Sequence, residues 1–151
     1  TSRSRRDIEC GGVRVDFCAR HNMEETSVIE RDTPTGVLRV ASAAATAIEL
    51  VGYSEHSGFL DNIATVLAEL AESIDGDALV SEAKRAPTAW VQRLGYLLML
   101  VERDGLADCL DDVLAEHKLF TVALAPWLEI EGRPRDSRWQ VAINTDVEPD
   151  L

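Results

Sequence analysis

Lysine is nearly missing from this chain: Lys84 and Lys118 are the only two. Arginine does not make up the deficit, because 15 Lys+Arg face 27 Asp+Glu and leave a net charge of −12. Phosphate neutralisation needs clustered cations, so the composition argues against a stand-alone nucleic-acid binder. Cysteine is scarce and odd in number; Cys10, Cys18 and Cys109 lie far apart. That is no disulfide framework, and it points to a reduced, cytoplasmic setting. His21, His56 and His117 are equally scattered, and CxxC, HxxxH and HExxH spacings are missing. No metal site and no cofactor are expected from such a pattern. No apolar run reaches the roughly 18 residues of a membrane span, and no signal-peptide core follows Thr1. GxSxG, P-loop and GxGxxG motifs are absent too, and Gly11-Gly12 is too short to cradle a phosphate.

What is present suffices for one folded domain. A chain of 151 residues, 46% of them apolar, buries about 70% of the surface its unfolded form exposes. The charge is uneven. Residues 1–40 carry seven basic and seven acidic residues, residues 41–120 five and fourteen, and residues 121–151 three and six. The middle is thus an acidic body, whose surface serves solubility or meets a basic partner. The only basic cluster is Arg3, Arg5 and Arg6. Because the chain opens on Thr1 rather than Met, it is read as a fragment or a processed chain.

Periodicity predicts strands at both ends and helices between. Val13, Val15 and Phe17 alternate with polar residues after the Gly11-Gly12 turn, as a half-buried strand does. Val28-Ile29 reads as a short strand, and Val37–Val40 as a further strand after the Thr33–Gly36 turn, paired with the strand at 13–17. Ser42 is an N-cap for an alanine-rich helix to Val51. Leu60, Ile63, Ala64, Leu67, Leu70, Ala71 and Ile74 share one face of a second helix. Asp77 is the expected cap of a third helix ending at Lys84, and Pro87 opens a fourth. Trp90, Val91, Leu94, Leu97, Leu98 and Val101 form the broad apolar stripe of that fourth helix. Asp104-Gly105 is read as a break before a fifth helix carrying Leu106, Leu110, Val113 and Leu114. Alternation returns at 119–124 and 138–143. The expected class is α+β: a mixed or antiparallel sheet built from N- and C-terminal strands, packed against about five helices.

Few residues suggest chemistry. Glu49, Asp146 and Glu148 are carboxylates that a metal-dependent nuclease could use, yet no lysine accompanies them. In Gln92-Arg93-Leu94-Gly95-Tyr96, Arg93 lies beside the apolar stripe, where a guanidinium binds a carboxylate or carbonyls; Glu49 or Glu148 is the expected partner. Gly95 inside a helix costs about 1 kcal/mol relative to Ala, which signals close approach of another backbone. Trp90, Trp127 and Trp139 read as core or rim packing, with Trp139 expected against the fourth helix.

The order of these segments carries a family resemblance. VASAAATAIELV at 40–51, GFLDNIATVLAELAESID at 58–75, WVQRLGYLLMLV at 90–101 and RWQVAINTDVEPDL at 138–151 resemble the C-terminal domain of AbiEi-type antitoxins over roughly residues 10–151. Ser42–Leu50 stands where that family has a TPERT-like segment before an LDL. Arg93-Leu94-Gly95 matches its RLG helix, and Trp139–Glu148 its closing W-x-V-x-VN-x-x-VE strand. One departure is plain: Ala43-Ala44-Ala45 replaces the charged part of the first motif.

The resemblance implies a non-enzymatic domain of a type IV toxin–antitoxin system. The family's functional counterpart is a nucleotidyltransferase-like toxin, countered without a stable complex. It also implies a transcriptional regulator whose DNA binding resides in an N-terminal winged helix-turn-helix. Residues 1–9 are then the junction to that domain and 10–151 the antitoxin domain. Arg93, Gly95, Trp139, Asn144 and Glu148 are the family-pattern candidates for structure or interaction. No membrane partner is implied, and self-association is open. The alternatives are a protein-interaction or dimerisation domain unrelated to a toxin, and a nuclease-like domain.

Overall fold

The computed structural model describes residues 5–15, 17 and 26–150; Arg3, Asp16, Cys18 and His21 lie outside them. Among the described residues the chain forms five α-helices and seven short strands, an α+β fold of the expected class. Strands β1 (Ile8–Cys10) and β2 (Val13–Val15) form an antiparallel hairpin. Its two-residue turn, Gly11-Gly12, has φ of 59° and 81°, the left-handed pair that matches the twist of a tight hairpin. β3 (Val28–Thr33) and β4 (Gly36–Ala41) form a second hairpin around Pro34-Thr35.

Two expectations fail here. The strand at 37–40 pairs with its immediate neighbour 28–33 and not with 13–15, because a two-residue turn brings adjacent segments together at the least loop-closure entropy. The strand at 13–15 is also exposed along its whole length rather than half-buried, since among the described residues its hairpin stands apart from any third strand. Among the described residues the second hairpin is fastened at its base. Ser42 N–H donates to Ser27 O at 2.8 Å, and the Ser27 hydroxyl donates to the carboxylate of Glu82, which also pairs with Arg85 at 2.5 Å.

The helical body follows. α1 (Ala43–Gly52) is capped by Ser42, whose Oγ accepts Ala45 N–H at 3.2 Å. α2 spans Phe59–Leu70 and α3 Gly76–Ala83. The cap of α3 is Asp75, not Asp77: its side chain accepts Ala78 N–H at 2.9 Å. Asp75 has the extended backbone that an N-cap needs, whereas Asp77 sits in the first turn, where its charge favours the helix dipole. α4 is Thr88–Leu100 and α5 Asp104–Ala115. Asp104-Gly105 therefore starts α5; the break falls before it, at Glu102, which adopts φ 58°.

α4 is the axis of the fold. Val91, Gln92, Leu94, Gly95, Tyr96, Leu97 and Leu98 are all buried, so nearly its whole circumference is covered, as befits a central helix. α1, α2 and α5 pack on it, and so do two C-terminal strands.

Those strands are shorter than their alternation suggests. β5 (Val122–Ala123), β6 (Arg135–Asp136) and β7 (Val141–Ala142) form one sheet in the order β5-β7-β6. β5 runs parallel to β7 and β6 antiparallel to it. The N- and C-terminal strands thus do not join into one sheet. Among the described residues the hairpin strands are exposed except at Val40-Ala41, while β5 and β7 settle directly on α4.

Candidate functional site

Four of the five family-pattern residues gather where the C-terminal strands meet α4. Gly95 lies opposite Trp139, and a Cβ added at Gly95 would fall well inside van der Waals contact with the indole ring. The approaching group is a side chain rather than another backbone, and the fully buried Trp139 fills the slot that glycine leaves. The same device recurs at Gly52, where an added Cβ would overlap Trp90. Two small positions thus admit two tryptophans, at the end of α1 and the middle of α4.

The chain around Trp139 is shaped to deliver it. Asp136 Oδ1 accepts Trp139 N–H at 2.7 Å, and Gln140 adopts the left-handed φ of 51°. Arg138 lies over the indole at 4.6 Å and pairs with Asp108 and Asp111 of α5 at 2.6 and 2.7 Å. Its hydrogen bonds to Asp111 and then Asp108 raise the guanidinium pKa further above its ordinary value. These exposed ion pairs position Arg138 more than they stabilise the fold. Trp139 Nε1 is buried with no acceptor among the described residues.

Arg93 does not meet a carboxylate. Its Nε donates to Ala123 O at 2.7 Å, and burial lowers its pKa while leaving a guanidinium cationic. The reason lies in strand geometry. Val122 and Leu124 donate their N–H groups to Gln140 O and Ala142 O, so Ala123, between them, turns its carbonyl to the open edge of β5. That carbonyl needs a donor, and Arg93 supplies it in place of the expected pairing with Glu49 or Glu148.

Gln92, to which the sequence reading gave no role, does the same at the next stretch of backbone. Its Nε2 donates to Phe120 O at 3.0 Å and to Trp139 O at 2.9 Å. The signal was available: a glutamine in the middle of an apolar helix is expected to satisfy buried backbone.

Asn144, also buried, closes the arrangement. Its Oδ1 accepts Ala125 N–H at 2.9 Å, and its Nδ2 donates to Ala125 O at 2.8 Å and Leu128 O at 3.0 Å. The loop that carries Pro126 and Trp127 is thereby pinned. Glu148 stands apart from this group. Its side chain is exposed, while its backbone N–H donates to Asp61 Oδ1 at 2.9 Å, and Asp150 N–H donates to Thr65 Oγ1 at 2.9 Å. The tail therefore runs along α2. Among the described residues no three His, Cys, Asp or Glu side chains come together as metal ligands would.

Tyr96 shares this region. Burial first, then the carboxylates of Asp136 and Asp146, push its phenol above the ordinary value of 10.0. A raised folded-state pKa favours the protonated phenol in the fold. Its contribution is complete below the unfolded pKa and is lost as pH rises through the folded one. Thermal melts from about pH 9 to about pH 11 are expected to show an alkaline loss of stability, and Tyr96→Phe to flatten it. An equally steep loss in Tyr96→Phe would remove Tyr96 as its source.

A groove of about 300 Å³ opens between Gly52–His56 and Pro126-Trp127. Trp127 meets Phe59 edge-on with ring centroids 5.4 Å apart. The reading of Trp127 as rim packing holds; the groove beside it left no mark in the local pattern.

Fold and site together describe a small α+β domain whose helical axis is locked by its C-terminal segment. The chain belongs to the AbiEi antitoxin C-terminal domain family, whose model matches residues 1–100 of the 151. Arg93 and Gly95 lie inside the matched span; Trp139 and Asn144 lie beyond it. No curated protein matches, and no solved structure matches. No helix among the described residues is long and apolar enough to cross a membrane.

Proposed function

We propose that this chain is the non-catalytic antitoxicity domain of a cytoplasmic type IV antitoxin, and that its functional counterpart is a nucleotidyltransferase-like toxin. The family match over residues 1–100 carries this reading. The site agrees with it: Gln92, Arg93 and Asn144 spend their polar atoms on backbone groups, which is the work of structural residues rather than of acids, bases or nucleophiles.

In this reading a winged helix-turn-helix precedes residues 1–9 in the parent protein and represses its own operon. The acidic domain contributes little to DNA affinity, since a net charge of −12 opposes phosphate contact. A lasting complex with the toxin is not required.

Co-expression tests the reading. Residues 1–151, produced with a nucleotidyltransferase toxin encoded beside their gene, are expected to restore growth. Growth arrest that persists at matched, folded protein levels would overturn the antitoxic role.

A further inference from the structure

We propose that the groove between the Tyr53–His56 turn and the Pro126-Trp127 loop docks a basic segment of a partner protein, whose arginine or lysine side chain enters against Tyr53 and Trp127 near Glu55.

The apolar part of the surface comes first. Phe59, Trp127 and Leu128 are 54%, 37% and 44% exposed, and the first two are in ring contact. Single exposed hydrophobic residues are ordinary, but a group of them beside a concave surface marks an interaction site. Tryptophan and tyrosine are the residues most often dominant at such sites.

The surface is also held in shape before anything binds. Asn144 ties both ends of the Ala125–Leu128 loop with three hydrogen bonds, and Leu128 N–H donates back to Ala125 O at 3.1 Å. Phe59, in ring contact with Trp127, is held at φ 63° directly after Gly58 at φ 79°. A bulky residue enters that region only where its surroundings impose it. A surface ordered in advance loses less freedom on binding.

Charge selects the occupant. One wall belongs to residues 40–83 and the other to residues 119–132, and neither stretch contains a lysine or an arginine. The groove lining itself holds one carboxylate, Glu55, and one imidazole, His56, with no lysine or arginine among its residues, in a chain of net charge −12. Such a surface repels phosphate, and so both nucleic acid and anionic lipid. A guanidinium suits it, because it stacks on aromatic faces and pairs with carboxylates at once. The proposal stands whether or not the partner is a toxin.

Nuclear magnetic resonance with ¹⁵N-labelled tryptophan tests it. The three tryptophans give three indole signals, and Trp127→Phe identifies the one that matters. A peptide of about twelve residues alternating arginine and leucine is titrated against the intact chain, beside a matched peptide with glutamate for arginine. The arginine peptide is expected to move the Trp127 signal saturably, less so in high salt, and to leave buried Trp139 unmoved. Glu55→Gln is expected to weaken binding about threefold and Trp127→Ala about tenfold. Both side chains are exposed, and unchanged melting curves of the variants verify that the fold is intact. A motionless Trp127 signal, an equal response to the glutamate peptide, or unweakened binding by Trp127→Ala would each overturn the proposal.

Discussion

Gly95→Ala is expected to lower stability by about 3 kcal/mol, or about 10 °C in melting temperature for a chain of this size. In an ordinary helix interior the same change would stabilise by about 1 kcal/mol, so the sign itself is diagnostic. The added methyl would overlap the Trp139 ring, and neither partner can yield easily. Gly95 sits in the middle of α4, which is packed on nearly all sides. Trp139 is fully buried and fixed through its own N–H by Asp136. Urea denaturation monitored by circular dichroism measures the change; a stabilised variant would show that the slot closes without the tryptophan.

Trp139→Ala is expected to cost about 4 kcal/mol, at the level usual for truncating a buried aromatic residue. The loss has two parts: the ring's removal from water is forfeited, and a cavity opens beside Gly95. Trp139→Phe separates these from the polar end of the indole. It keeps an aromatic ring in the slot and discards an N–H that has no acceptor among the described residues, so its loss should stay below about 1.5 kcal/mol. In a double-mutant cycle, Gly95→Ala with Trp139→Ala should cost less than the sum of the two single changes, because the methyl occupies part of the space the ring leaves. Strict additivity would mean that the two positions do not share a cavity.

This pairing also shows how far the sequence could be read. That something approaches closely at Gly95 was legible from glycine inside an apolar helix. That Trp139 packs on this helix was legible too and holds, since it is fully buried there; that it is the group in the Gly95 slot was not, because it comes from a distant segment whose position depends on a two-residue sheet. The helices were legible for a physical reason: their apolar periodicity extends over three turns or so, and the burial of that face fixes them. The strands were legible only as segments. β5, β6 and β7 contribute two residues each, and tertiary packing, not pattern, decides which backbone groups pair. Arg93 follows the same rule. Its place at the edge of the apolar stripe promised a buried partner, but the choice between a carboxylate and Ala123 O depends on which way one carbonyl faces in β5. Asp75 and Asp77 differ by backbone angle alone, and so does the role of each at the start of α3. The Phe59–Trp127 surface has no local signature at all, since its halves are separated by most of the helical body.

The glycine slot has a consequence in time as well as in space. A protein is made from its N-terminus, and local helical contacts form faster than distant ones. The residues of all five described helices, the last ending at Ala115, are therefore synthesised before residue 139, and helices that pack before it arrives leave an open apolar furrow along α4 where the indole belongs. Until that one side chain arrives, the domain offers chaperones and proteases the kind of surface they recognise. Its survival in the cell is tied to a tryptophan that comes late in its own synthesis.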